Sequence, residues 1–111
     1  MAAAALVLAG CAPHPASGVW QALDPQAPVQ RLVLAFNGRA LFKTGTPPVE
    51  WHCFWSGRDA REASLACTAA DRPRQVVNYR LVSRGDQADF YRGDEPLGRF
   101  RRIDADPELP Q

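Results

Sequence analysis

From Gly18 onward the chain alternates apolar and polar residues in short runs, each closed by a turn signal. Alternation with period two marks a strand with one buried face. The runs cover residues 18–21, 30–36, 39–43, 49–55, 62–68, 75–83, 87–92 and 97–103. Leu32, Leu34 and Phe36 share one face of the second run, and Val77, Tyr79 and Leu81 share one face of the sixth. Between them lie Asn37-Gly38, a strong hairpin signal, and the turns Gly57-Arg58-Asp59, Arg84-Gly85-Asp86 and Gly93-Asp94. Residues 70–74, with Pro73, read as a polar loop. The longest helical candidate, 58–70, alternates Ala63, Leu65 and Cys67 and so reads as a strand. Eight short strands in succession predict an all-β fold, an up-and-down antiparallel barrel or a strongly coiled sheet. An eight-stranded barrel is just wide enough for side chains to fill it or to hold one small ligand.

Composition narrows the classes. The 111 residues suffice for one domain, and ten Pro with eight Gly suit many turns better than a helical bundle. Thirteen Lys plus Arg against twelve Asp plus Glu leave a net charge of +1, without the basic excess of a nucleic-acid binder.

The first ten residues are almost wholly apolar and end in Leu8-Ala9-Gly10, directly before Cys11. The run has the length of a secretory core and is far shorter than the roughly 20 residues of a spanning helix. Leu8-Ala9-Gly10-Cys11 resembles the bacterial lipobox, although no Lys or Arg precedes the apolar run. The resemblance implies a signal peptide at 1–10, removed on export. It also implies a Cys11 thiol carrying diacylglycerol, with a further acyl chain such as palmitate on the new amine. Ala12 in place of Asp implies sorting to the outer membrane, facing the periplasm. Residues 11–17 then form the lipidated N-terminus and a tether with His14 solvated in it. Residues 18–103 form the barrel, and 104–111 a flexible tail.

With Cys11 lipidated, Cys53 and Cys67 remain as a pair in an oxidising compartment. They lie nearly symmetrically about the turn at 57–59, so they can face each other across one hairpin as a disulfide. Two cysteines at this spacing, without a second close pair, do not match a zinc site, and His52 points to the other face of the strand.

Gly18-Val19-Trp20 opens the first strand and Phe100-Arg101-Arg102 lies in the last. This is similar to small lipocalin-like bacterial lipoproteins with a Gly-x-Trp strand and a late Arg. The resemblance implies that Trp20 closes one end of the barrel under Arg102 or Arg101, of which Arg102 is favoured because it shares a strand face with Phe100. By strand parity Trp51, Cys53 and Trp55 share the face toward the barrel interior, where the tryptophans pack the core or, with Tyr79, line a ligand cavity, while His52 and Phe54 face the other way as candidates for a contact surface. The size and strand count are similar, too, to the small periplasmic protease inhibitors, which act through an N-terminal segment.

No catalytic constellation emerges. Ser17, Ser56, Ser64 and Ser83 lie outside any nucleophile-elbow pattern. Glu50 and Glu62 could face each other across the cysteine hairpin, an arrangement that usually means a solvated face. Arg92, Arg99, Arg101 and Arg102 form the one charge cluster, suited to anionic headgroups, an acidic partner or plain solvation. The expectation is a non-enzymatic envelope lipoprotein, without metal or cofactor. It would be anchored in the membrane and bind a small apolar ligand or an envelope protein. The alternatives are an inhibitor of a secreted hydrolase and a structural subunit of an envelope assembly.

Overall fold

A computed structural model describes residues 14–103. The expected signal peptide, Cys11 and the tail at 104–111 lie outside the described residues. Eight strands follow in order: β1 (Gly18–Ala22), β2 (Arg31–Leu34), β3 (Arg39–Thr44), β4 (Val49–Gly57), β5 (Glu62–Ala69), β6 (Arg72–Arg84), β7 (Gln87–Arg92) and β8 (Glu95–Ile103). Each pairs antiparallel with the next, and β1 pairs with β8, closing an up-and-down barrel. Closure removes the unpaired edges that a sheet of apolar strands would otherwise expose. At the level of architecture this agrees with the lipocalin-like expectation.

Alternation decides what fills the barrel. Trp20, Leu32, Leu34, Phe42, Leu65, Leu81, Phe90 and Phe100 point inward and are fully buried. Cys53 and Cys67 are directly paired in register, join as a disulfide and lie within the same core. Closing a loop of this length restricts the unfolded chain by about 3 kcal/mol.

Three local expectations are corrected. Phe36 does not join Leu32 and Leu34 on the inner face; it is 79% exposed. The strand stops at Leu34 because the chain turns at once. The Ala35 N–H donates to the Arg39 carbonyl, and the Gly38 N–H donates to the Ala35 carbonyl. Pro73 lies not in a loop but in β6, which begins at Arg72. Arg72 pairs with Ala69 and Val76 with Thr68, so residues 73–75 are extra on the β6 side. A proline without an N–H is tolerated in such an irregularity. Glu50 and Glu62 do not face each other. The register sets Trp51 opposite Ala69 and Gly57 opposite Ala63, which puts the two carboxylates at opposite ends of the hairpin.

Candidate functional site

The fold offers three regions for function: the end of the barrel at which β1 begins, the interior, and the outer wall.

At the first, Trp20 is sealed. Its indole Nε1 donates to the Ala16 carbonyl at 2.9 Å, and the Arg102 guanidinium lies 4.3 Å above its ring. Arg102 Nη1 donates to the Ser17 carbonyl at 2.5 Å, and Nη2 donates to the Pro15 carbonyl. The glycine of Gly-x-Trp has a physical reason here. Gly18 has φ +127°, and a Cβ on it would stand 2.6 Å from Arg102 Nη1. Trp20 and Arg102 therefore sit together at one end of the barrel.

Residues 14–17, read from sequence as tether, are fastened to this end. Ala16 and Ser17 are buried, and the Ser17 hydroxyl donates to the His14 carbonyl. His14 is not simply solvated. Its Nε2 stands 2.7 Å from the Asp59 carbonyl oxygen, and its Nδ1 accepts the Ala16 N–H at 3.0 Å. A carbonyl only accepts, so Nε2 carries the proton. The ring meets Trp55 edge-on at 5.9 Å and covers Gly57, where a Cβ would stand 2.5 Å from His14 Cδ2. Asp59 is tied in turn: its Oδ1 accepts the N–H groups of Arg61 and Glu62, each at 2.9 Å. Those two backbone hydrogen bonds hold its carboxyl below the usual range.

The interior holds a connected aromatic cluster. Trp51 stacks on Phe42 at 5.7 Å, and Tyr79 stacks on Phe90 at 5.3 Å. Tyr79 also meets Phe42 and Trp51 edge-on, and Phe90 meets Phe100 edge-on. The Trp51 indole N–H is taken by Thr44 Oγ1, and that of Trp55 by the Ala35 carbonyl. Burial pushes the Tyr79 hydroxyl above its ordinary value, with Arg92 opposing. Of the three candidate lining residues, Trp51 and Tyr79 thus pack against each other. Trp55 belongs to the His14 end.

The outer wall is more apolar than alternation requires. One ladder row runs Val19–Val33–Leu41–His52–Thr68–Val76 across six strands. Phe54 and Ala66 stand in the next row, with Phe54 65% and Val76 59% exposed. Between them lies a groove of about 670 Å³, lined among others by Val33, Leu41, Phe54, Ala66 and Val76. Its rim is polar: Glu50 pairs with His52 at 2.7 Å, and Arg39 lies 5.1 Å over the Phe54 ring. The arginine cluster is largely engaged. Arg92 pairs with Glu95, Arg99 with Asp89, and Arg102 is stacked on Trp20.

Among the described residues, no group of three or more His, Cys, Asp or Glu stands close enough to hold a metal ion. The contact of His14 with the Asp59 backbone, 45 residues away, and the apolar outer row carry no motif. Only the exposed parity of Phe54 and His52 hinted at the second. Comparison with protein-family models, with curated proteins and with solved structures found no match.

Proposed function

We propose that this protein is a lipid-anchored, non-catalytic barrel of the bacterial envelope that binds a partner protein through its outer wall. The lipobox-like Leu8-Ala9-Gly10-Cys11 supports the anchor and, with Ala12, the outer membrane as its location. The observation that carries the choice of partner is a contrast. Trp51, Phe42, Tyr79, Phe90 and Phe100 occupy the interior in mutual contact, whereas Phe54 and Val76 stand exposed beside a groove on the outside. A protein-binding patch is typically apolar at its centre with a polar rim, as the groove and its Glu50–His52 and Arg39 border are. A small apolar ligand held inside the barrel has less support. So does inhibition through a free N-terminal segment, because residues 14–17 are bonded to the barrel.

The test is the native mass of the protein extracted from membranes in mild detergent, alongside its intact chain mass. The reading expects acylated Cys11 and an assembly larger than one chain. Phe54→Asp should dissolve that assembly and Phe54→Leu should preserve it. A monomer that co-purifies with a small apolar molecule would overturn the partner reading. An unacylated Cys11 would overturn the anchor.

A further inference from the structure

The fastening of residues 14–17 also determines which way the barrel faces a membrane. Granted the Cys11 anchor proposed above, only Ala12 and Pro13 separate the acylated residue from His14. Three residues span at most about 11 Å when fully extended. His14 is held by Asp59, and Pro15 and Ser17 by Arg102, all at the end where β1 begins. That end of the barrel is therefore leashed close to the bilayer surface.

The loops at that end are 35–38, 58–61 and 85–86. Phe36, in the first of them, is the most exposed of the large apolar side chains among the described residues, at 79% against 65% for Phe54. Beside it Val19, Val33, Ala35 and Ile103 line a groove of about 210 Å³ that opens outward. Arg58 and Arg61 stand on the neighbouring loop. An apolar tip flanked by long cationic side chains suits the boundary between acyl chains and headgroups.

We infer that Phe36 and the adjoining groove form a second, apolar contact with the phospholipid interface. The barrel would then rest on the membrane with its β1-start end down, presenting the Phe54 wall sideways and the 45–48 and 93–94 loops to the aqueous side.

The experiment uses the full-length acylated protein, purified from bacterial membranes and placed in phosphatidylcholine vesicles. Phe36→Cys and, separately, Asp94→Cys are labelled with an environment-sensitive fluorophore, and quenching by brominated acyl chains is read. The mass of the same sample reports Cys11 acylation. The expected result is a blue-shifted probe at 36, quenched several-fold more than the probe at 94. Equal, aqueous signals at both positions in a sample with acylated Cys11 would overturn the inference and leave the anchor intact. A sample lacking acylation would overturn the anchor reading and this inference with it. Phe36→Ser, at a side chain that packs on little, should keep the unfolding midpoint while weakening the bromolipid contact of a probe at the neighbouring Asn37→Cys position.

Discussion

Arg102 lies over the Trp20 ring at 4.3 Å while its two terminal nitrogens donate to the carbonyls of Ser17 and Pro15. One side chain from the last strand thus fixes the first strand and the segment preceding it. Arg102→Ala should destabilise the barrel by about 2–3 kcal/mol, from the lost stacking and charge-assisted hydrogen bonds. Arg102→Lys should recover only part of this, because an ammonium lacks the planar fork that meets two carbonyls and a ring together. Urea unfolding of the three proteins checks the order.

Gly18→Ala should destabilise by about 1–3 kcal/mol through its positive φ alone. The added Cβ also displaces Arg102 Nη1, so the effect should be smaller when introduced into Arg102→Ala. A double-mutant cycle reads this as a coupling between the two positions, and strict additivity would contradict the geometry.

Replacing Cys53 and Cys67 together by Ala should lower stability by about 3 kcal/mol, the restriction that the cross-link places on the unfolded chain. Both sulfurs are buried, so reductant should open the bridge slowly in the folded protein and quickly in urea. Thiol trapping over time distinguishes the two rates.

Tyr79 gives a pH dependence at the alkaline side. Burial raises its folded pKa above the ordinary value of 10.0, so the unfolded chain loses the phenolic proton first. The stability linked to this group is full below pH 10 and falls as pH rises through the folded value. Tyr79→Phe keeps the ring contacts with Phe42 and Phe90 and should flatten that decline. Unfolding midpoints measured between pH 9 and pH 11 read the difference.

Gly57→Ala should expel the His14 ring, since the new Cβ would stand 2.5 Å from it. His14→Ala should release the same segment from the other side of the contact. Both variants should gain protease cleavage before Gly18 while retaining β-sheet circular dichroism. Continued protection would contradict the latch.

Much of the fold is legible in the alternation itself. Eight runs of period two gave eight strands, and shared parity with Phe100 singled out Arg102 over Arg101. The position of Cys53 and Cys67 about one turn anticipated their register pairing. Parity assigns a face but not the point where a strand stops, so it places beside Leu34 a Phe36 that the structure leaves exposed. Two backbone hydrogen bonds, Ala35 to Arg39 and Gly38 to Ala35, end the strand before it. His14 was out of reach for a different cause: its partner is the Asp59 main-chain carbonyl, which any residue would supply. The outer apolar row needs the register of six strands before its members, scattered from Val19 to Val76, line up.

The pairing of Val19 with Ile103 brings the start of β1 and the end of β8 side by side. Topologically the barrel is a ring whose seam could lie between any two neighbouring strands. A short linker from Ile103 to His14, which keeps the Trp20 and Arg102 partners in residues 14–17, with new termini cut in the 45–48 loop, should give a circularly permuted protein that folds to the same barrel. Its chain would then begin at the opposite rim. The position of the seam therefore decides which rim carries the ends of the strand ring, separately from how the ring is held together.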